Sequence, residues 1–421
     1  MTSRERVIDA INHRQPDRIP VDIGATGQTG MSASIVYKLR AALGLEQKPI
    51  GISEIYQLLG EVDKELRDYI GCDVIGLNGT HDMFGNKIEG GQPFTMTDGT
   101  PCVVSSAFRY DIRDGVYYAY AQGDRTLAPC AKMPSDGFFF DGIVRNGDFD
   151  EDDLTPEEDW KEAFSVMSDE DAKYYERESR RLFEETDYAV IGNLGGGGLG
   201  DAAILPGPSE KHPKGIRRME DWLMAHILYP DYIKAVFSMQ TEIMLKNLEI
   251  YRQAVGKRIQ IVWISGTDFG TQNGEFISPA LFREIYKPFY KKINDWVHKN
   301  TPWKTFFHTC GSIYNILPDI IEMGVDIVNP VQVSAANMDA LRLKDKFGKD
   351  IIFWGGGVDS QKTLPYGTQE EVYAQVLERL KIFGKDGGYV FGSVHNIVAK
   401  TPIENVLAMI RAVHDYNTDR R

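Results

Sequence analysis

Two short segments in the C-terminal half of the 421-residue chain carry side chains that could bind a metal ion. His308 and Cys310 alternate at strand spacing, so both side chains project from the same side of the backbone. His395 follows a second short apolar run further along the chain. A thiolate and two imidazoles at the ends of rigid strands suit Zn²⁺ with one coordination position left open. The alternative is that the histidines are hydrogen-bonded core residues and that Cys310 is a small buried hydrophobic residue.

These side chains must be positioned by the surrounding strands and helices. The chain contains eight short apolar runs, and each run is followed by loop residues and then by a helical pattern. Such alternation predicts a (β/α)₈ TIM barrel, with a doubly wound open sheet as the competing architecture. The predicted strands are Arg18–Ile23, Asp73–Leu77, Tyr188–Asn193, Gln260–Ile264, Lys304–His308, Asp326–Val331, Ile351–Gly355 and Gly388–Gly392. The predicted helices include Ser53–Ile70, Asp169–Glu185, Pro279–Lys299, Ile313–Met323, Gln369–Phe383 and Pro402–Tyr416.

The chain is predicted to form a single barrel domain over residues 1–421 that begins with an N-terminal helical segment. Residues 80–150 contain hairpin signals at Thr97–Thr100 and Arg113–Val116. They predict a β-rich insertion after the second strand that forms a flap over the barrel mouth. Residues 201–258 are predicted to form a helical excursion between the third and fourth strands.

Composition restricts the classes of function. A hydrophobic fraction of 42% is ample for a large core, and a net charge of -14 argues against nucleic acid as a partner. No apolar run approaches the roughly 20 residues that cross a bilayer. The charged N-terminus lacks a signal-peptide core, and four scattered cysteines do not suggest a disulfide scaffold. We therefore expect a soluble protein of the reducing cytoplasm.

Polar residues concentrate at the carboxyl ends of the predicted strands, where barrel enzymes build their active sites. Asp268 ends an apolar strand, where a carboxylate is costly unless it binds a ligand, a metal or an arginine, so we expect it to be catalytic. Gly195–Gly200 either offers backbone N–H groups to an anion or only permits a tight turn. The predicted substrate-binding residues are Asp22, Asn193, Gln272, Asn273, Asn329, Gln332 and Asn396; Asp22 is alternatively a hydrogen-bond acceptor at the barrel rim.

Several of these segments together resemble the uroporphyrinogen decarboxylase superfamily, and most closely its cobalamin (corrinoid)-dependent methyltransferase branch. The resemblance implies a (β/α)₈ barrel and a zinc pair formed by His308 and Cys310. It also implies a third metal ligand at His395, where the branch carries a cysteine. The segments that carry the resemblance are Arg4–Asn12, Pro16–Val21, Asp268–Gly274, Ile277–Pro279, His308–Gly311, Gly355–Asp359, Gly388–Ile397 and Thr401–Val406.

The decarboxylases of this superfamily bind an acidic tetrapyrrole through an arginine-rich segment after the first strand and carry a catalytic aspartate after the second. Here Gly24–Gly30 contains no arginine, and Leu77–Gly79 contains no aspartate. An anionic porphyrinogen without a cationic clamp would bind poorly. The resemblance therefore implies the methyltransferase activity instead.

We accordingly expect a zinc-dependent methyltransferase that moves a methyl group between a small thiol, methoxy or methylamine compound and the cobalamin of a corrinoid partner protein. Its catalytic residues would be Asp268, His308, Cys310 and His395. One alternative is a decarboxylase-like lyase that acts on a small carboxylic acid or a modified tetrapyrrole. The other is a non-catalytic protein that binds a tetrapyrrole or a corrinoid.

Overall fold

The computed structural model describes residues 1–419. Its centre is a parallel sheet of seven strands, in the order β15-β14-β13-β12-β11-β10-β3, curled into a half barrel. The strands are β1 (Ile50–Glu54), β2 (Leu59–Gly60), β3 (Val74–Leu77), β4 (Gln92–Thr95), β5 (Pro101–Val104), β6 (Tyr110–Arg113), β7 (Val116–Ala119), β8 (Ala131–Met133), β9 (Asp141–Gly142), β10 (Ala189–Asn193), β11 (Ile261–Ser265), β12 (Lys304–His308), β13 (Ile327–Asn329), β14 (Ile352–Trp354) and β15 (Tyr389–Val390).

Helices cover the outer face of this sheet. The α-helices are α1 (Ser3–Ala10), α2 (Ala33–Ala42), α3 (Lys64–Ile70), α4 (Pro156–Asp159), α5 (Asp169–Glu185), α6 (Met219–Leu228), α7 (Pro230–Val255), α8 (Pro279–Ile285), α9 (Lys287–Asn300), α10 (Leu317–Glu322), α11 (Ala340–Phe347), α12 (Thr363–Tyr366), α13 (Gln369–Phe383) and α14 (Ile403–Asp419). None of the helices in residues 1–419 is long and apolar enough to cross a bilayer.

The strands of the central sheet are buried on both faces, which explains their nearly continuous apolar sequences. In β12, Phe306 joins a small cluster inside the curled sheet, whereas Phe307 packs against the surrounding helices. The inner cluster also contains Trp354, and the two rings meet edge to face. An α/β half barrel of this kind is a TIM-barrel-like fold.

The predicted first strand, Arg18–Ile23, is not a strand in the structure, so the prediction of eight strands is corrected to seven. The segment nevertheless lies between β15 and β3. The N–H of Phe391 donates to Pro20 O, Asp22 N–H donates to Phe391 O, and Asp73 N–H donates to Val21 O. Pro20 has no N–H to donate, which leaves only an isolated bridge between Val21 and Phe391.

The helix predictions are confirmed in part. Asp169–Glu185 and Gln369–Phe383 have the predicted bounds, and each begins after a serine or threonine whose side chain caps the first turn. Pro279–Lys299 is divided into α8 and α9, because Pro288 cannot donate a helical hydrogen bond. The prediction of a helix over Ser53–Ile70 is wrong before Lys64, where β1 and β2 pair instead.

Residues 80–150 contain β4 to β9. The turn between β6 and β7 is a two-residue hairpin in which Asp114 and Gly115 both have positive φ, at 51° and 78°. Between β10 and β11 lie α6 and α7, which are separated at Pro230. The function of residues 80–150 as a flap, and the division of the chain into these segments, remain predictions.

Candidate metal centre

His308, Cys310 and His395 converge at the carboxyl end of the sheet. His308 is the last residue of β12, Cys310 lies just beyond it, and His395 follows β15. One ligand atom from each lies within 4.8 Å of the others, and no other such trio of His, Cys, Asp or Glu occurs within residues 1–419. Cys310 Sγ is 3.4 Å from His308 Nε2, close to the roughly 3.6 Å that tetrahedral Zn²⁺ would impose on a sulfur and a nitrogen ligand. The donor set and its spacing therefore fit zinc.

Asn329 fixes the orientation of the His308 ring. The Nδ2 group of Asn329 donates to the carbonyl of Trp354 at 2.9 Å, and a carbonyl can only accept. Asn329 Oδ1 must then face His308 Nδ1, at 2.6 Å, which requires the proton on Nδ1. The lone pair of His308 is left on Nε2, the atom that faces Cys310, as a metal ligand requires.

Burial keeps both imidazoles of the cluster neutral. It lowers the pKa of His308 to about 4, against the opposing effect of the hydrogen bond that His308 Nδ1–H donates to Asn329 Oδ1. Burial, assisted by repulsion from His308, also lowers the pKa of His395 to about 4. The two rings lie 5.3 Å apart between centroids in an edge-on arrangement. Neutral imidazoles are the form that binds a metal, so no proton has to leave either ring.

The thiol of Cys310 is held protonated without a metal. Burial raises its pKa well above the ordinary value, and the nearby carboxylates of Asp268 and Asp201 raise it further. A bound divalent cation reverses this effect, because it stabilises the thiolate directly. The charge of this thiol would therefore change if a divalent cation bound to Cys310.

Asp268 lies beside the cluster on the segment that follows β11. Its Oδ1 accepts a hydrogen bond from the backbone N–H of Cys310 at 2.6 Å and lies 3.8 Å from His308 Nε2. Although 41% of the side chain is exposed, the surrounding protein desolvates the carboxylate and raises its pKa. The predicted catalytic aspartate therefore contacts the backbone of Cys310 and lies beside His308.

Two glycines hold the loops after β11 and β12 together. The N–H of Gly270 donates to Cys310 O at 3.1 Å, and Gly311, at φ 84°, lies directly against the backbone of Gly270. A Cβ at either position would collide with the other chain segment. Gln332 Oε1 accepts the N–H of Gly311 at 2.8 Å. These contacts fix the turn that presents Cys310.

The other predicted binding residues differ in position. Asn396 is buried and ties the loop after Asp22 to the end of β15, through Gly30 N–H and Gly27 O. Asp22 is fully buried and accepts from Trp354 Nε1 and Ala25 N–H. This environment favours the rim-acceptor interpretation of Asp22, and burial raises its pKa to about 6.

Asn193, Gln272 and Asn273 are partly or fully exposed. The side-chain hydrogen bonds described for Asn193 and Gln272 within residues 1–419 go to other loop residues, not to His308, Cys310 or His395. Asn193 Oδ1 accepts from Gly195 N–H, and Gln272 Nε2 donates to Gln361 Oε1 at 2.6 Å. Their function in binding a substrate remains a prediction.

Sequence reasoning did not select Asp201, which follows the glycine run after β10. Burial, assisted by the charge of Asp268, raises the pKa of Asp201 to about 7. Within the run, Gly197 lies directly against Ile264 O, so a Cβ there would collide with the backbone. This contact favours the tight-turn interpretation of the glycines. Its position in the sequence could have identified it, because Asp201 is the first acidic residue after the predicted strand Tyr188–Asn193 and active-site residues of barrels follow strand ends.

Comparisons with known proteins give a family domain and a fold. Residues 210–416 match the family model for uroporphyrinogen decarboxylase (URO-D), a range that includes the three cluster residues. Uroporphyrinogen decarboxylase of Anaeromyxobacter dehalogenans (strain 2CP-C) is 25% identical over 232 residues, which is 54% of this chain and 58% of that protein. A methyltransferase from Methanosarcina mazei has the same fold, with a TM-score of 0.57 and 15% identity over 99% of both chains.

Proposed function

We propose, from the premise that this chain carries a uroporphyrinogen decarboxylase (URO-D) family domain, that it is a zinc-dependent methyltransferase. It would move a methyl group between a small substrate and the cobalamin of a corrinoid partner protein. The single observation that carries the proposal is the convergence of His308, Cys310 and His395 at the carboxyl end of the sheet. A methyltransferase among the structures of the same fold supports it.

In this proposal His308, Cys310 and His395 hold the metal and leave a position open for the substrate. When bound, zinc would lower the pKa of a substrate thiol or polarise a methyl donor. The protein's own residues prepare the site. Asn329 keeps the lone pair of His308 on Nε2, and Asp268 holds the backbone N–H of Cys310. The exposed amides of Gln272 and Asn273 are proposed to contact the substrate.

A decarboxylase-like lyase is the second candidate, because both the family model and the curated relative are named after a decarboxylase. The loop Gly24–Gly30, which contains no arginine, argues against an acidic tetrapyrrole as the substrate. A lyase would also have no evident use for three converging soft and borderline metal ligands.

Metal analysis of protein purified without chelators tests the proposal. We expect about one zinc per chain, and loss of this zinc in Cys310→Ala because the thiolate ligand is gone. Cys102→Ala is the matched control, since Cys102 is a buried cysteine on β5 outside the cluster. Protein that contains no zinc and does not take it up would contradict the proposal and favour the lyase.

Methyl transfer tests the reaction itself. Zinc-loaded protein is incubated with methyl-cobalamin and a panel of thiols, and the loss of the methyl–cobalt absorbance is measured. The reverse direction is assayed with reduced cobalamin and methoxy or methylamine donors. Transfer in either direction, absent in Cys310→Ala and retained in Cys102→Ala, is the expected result. No transfer in either direction by zinc-loaded protein would overturn the proposal.

A further inference from the structure

The helix α6 presents large apolar side chains to solvent. Its inward residues Trp222 and His226 are buried against the rest of the protein. Its outward side chains are also apolar, and 37%, 55%, 75% and 55% of Leu223, Met224, Ile227 and Leu228 are exposed. We call these four residues the α6 face. A helix that is apolar on all sides is normally buried on all sides, so this sequence is typical of a helix that is covered by a further partner.

The spacing of the α6 face suits contact with another helix. Leu223 and Ile227 lie four residues apart, and so do Met224 and Leu228. Side chains four residues apart form ridges along a helix, and a second helix packs its own side chains into the grooves between such ridges. Single exposed apolar residues are common on protein surfaces, whereas a contiguous group of large ones marks a site of interaction.

An acidic segment borders the α6 face and contacts both ends of the helix. Asp148 pairs with Arg218, which precedes α6, and the ring of Phe149 lies 6.1 Å between centroids from that of Tyr229, which follows it. The next four residues, Asp150–Asp153, are all acidic and exposed, and we call them the acidic strip. None of the ion pairs described within residues 1–419 involves these four, so the negative charge of the strip is free to act on a partner.

This charge distinguishes between the occupants that an apolar face could have. A second copy of the chain would bring its own acidic strip and its own net charge of -14, and like charges that meet at an interface oppose binding. The anionic surface of a membrane would be repelled for the same reason. A protein with lysine or arginine around an apolar helix would instead be attracted. The charges therefore favour a different, basic protein.

The α6 face lies next to the carboxyl end of the central sheet. The indole of Trp222 lies so close to Gly200, which follows β10, that a Cβ there would be 2.8 Å from Nε1. His226 donates from Nδ1 to Trp222 O, so its Nε2 accepts from the hydroxyl of Tyr286 at 2.6 Å. The ring of Tyr286 lies 4.8 Å from that of Phe269, which follows β11. A partner on the α6 face would therefore sit beside the loops of the candidate metal centre.

We propose that the α6 face and the acidic strip dock another protein through an amphipathic helix whose apolar side is bordered by lysine and arginine. The inference goes beyond the proposed function and does not depend on it. No residue of the α6 face or of the acidic strip is a candidate metal ligand.

The test uses a dye-labelled model helix with leucine along one side and lysine along the other. One comparison peptide has glutamate in place of lysine, and a second has the same leucines and lysines in an order that forms no apolar side. Fluorescence anisotropy measures the binding of each peptide to the full-length protein at physiological salt. We expect the leucine–lysine helix to bind at least about tenfold more tightly than either comparison peptide.

Variants of the α6 face test the apolar contact. Ile227→Glu should weaken binding of the leucine–lysine helix about tenfold or more, because it places a charge at the centre of the apolar contact. Leu341→Glu is the matched control, since Leu341 is 54% exposed on the helix α11, and it should bind as the unaltered protein does. Circular dichroism checks that each variant is folded. If Ile227→Glu does not fold, Met224→Glu takes its place with the same expected loss.

Variants of the acidic strip test the charge. Asp152→Lys combined with Asp153→Lys should weaken binding severalfold and reduce its dependence on salt. Asp136→Lys combined with Glu378→Lys makes the same change in net charge at exposed residues outside the strip, and it should have little effect.

Equal binding of the leucine–lysine and leucine–glutamate helices would overturn the inference, as would unchanged binding in Ile227→Glu. Sedimentation of the full-length protein tests the second copy: a dimer that dissociates in Ile227→Glu would overturn the inference in favour of self-association. Cys310→Ala should bind the leucine–lysine helix as the unaltered protein does. Failure to find zinc or methyl transfer would therefore contradict the proposed function alone.

Discussion

Aspartate side chains at the two ends of the curled sheet differ in whether they pair with arginine. At the amino end, Asp73 is fully buried and is held by Arg6 Nη1 at 2.7 Å and by Arg18 Nη2 at 2.8 Å. At the carboxyl end, Asp201 and Asp268 lie near each other without a lysine or arginine partner anywhere in residues 1–419. The same side-chain type is neutralised at one end and left unbalanced at the other.

We infer from this difference that the aspartate at the amino end stabilises the fold, whereas those at the carboxyl end belong to the candidate site. Asp73 also accepts the N–H of Val21 at 3.0 Å, so it joins α1, the segment before Val21 and β3 at the place where the sheet would otherwise stay open. Asp268 instead contacts Cys310 and lies 3.8 Å from His308, two of the candidate metal ligands. A TIM-barrel-like fold typically keeps its stabilising contacts at the amino ends of the strands and its active site at the carboxyl ends.

The largest loss in the free energy of unfolding is expected when the ion pairs at the amino end of the sheet are removed. Asp73→Ala removes the buried carboxylate shared by Arg6 and the half-buried Arg18, and leaves Arg6 with Asp17 as its remaining partner. Removal of one member of a buried ion pair costs about 3–5 kcal/mol. Urea denaturation should show this loss in the free energy of unfolding, while the zinc content of the folded fraction stays unchanged. A change below about 1 kcal/mol would mean that the cluster behaves as an exposed pair.

The next effect concerns the carboxyl end. In Asn329→Ala the ring of His308 loses the acceptor that fixes its tautomer, and such outer partners are typically worth 10–100-fold in metal affinity. Competition with a chromogenic chelator measures the change. Asn405→Ala is the control, because Asn405 is a buried asparagine that bonds Leu364 O and Gly367 O away from the cluster. Equal zinc affinities in the two variants would contradict the orienting role.

In metal-free protein at neutral pH, we expect Asp201→Asn to raise the free energy of unfolding. The change is smaller than the loss expected for Asp73→Ala and has the opposite sign. The folded state raises the pKa of Asp201 from 3.8 to about 7, so it binds this proton more tightly than the unfolded chain does. The carboxylate therefore lowers the free energy of unfolding progressively as the pH rises from 3.8 to about 7. If Asp201 were fully shielded from water, ionisation of its carboxylate would lower the free energy of unfolding by about 4 kcal/mol. Partial access of solvent reduces this loss to about 1–2 kcal/mol.

Denaturation of Asp201→Asn and the unaltered protein at several pH values tests this sign. The variant should be the more stable one above pH 7, and the difference should vanish towards pH 4, within the range set by the shift to about 7. A variant that is less stable at pH 8 would indicate that Asp201 has a partner that stabilises its charge.

The smallest effect is expected at an ion pair on the surface. Lys64 and Asp68 lie one helical turn apart on α3, with 74% and 53% of their side chains exposed. In Asp68→Asn the free energy of unfolding should stay within the error of the measurement, because water screens the pair. A loss similar to that of Asp73→Ala would remove the contrast between buried and exposed carboxylates.

Much of the fold could be predicted because apolar runs and helix-capping residues are local features of the sequence. The strands of the central sheet follow apolar runs, and α5 and α13 begin at capping residues that the sequence displays. The prediction failed where distant contacts override local preference. Gly60 lies against Ala33 and Ile50, so a Cβ there would be 2.8 Å from Ala33 Cα, and this packing holds a strand where a helix had been predicted.

The sequence by itself determined that His308, Cys310 and Asp268 lie near strand ends, because short apolar runs and alternation are local properties of the chain. Only the tertiary structure brought His395 to His308, set Asn329 as the acceptor that orients the ring, and left Asp201 without a counter-charge. It also placed Asp73 between Arg6 and Arg18. These contacts join residues far apart in sequence, and their geometry depends on the register and curvature of the whole sheet, which no local pattern encodes.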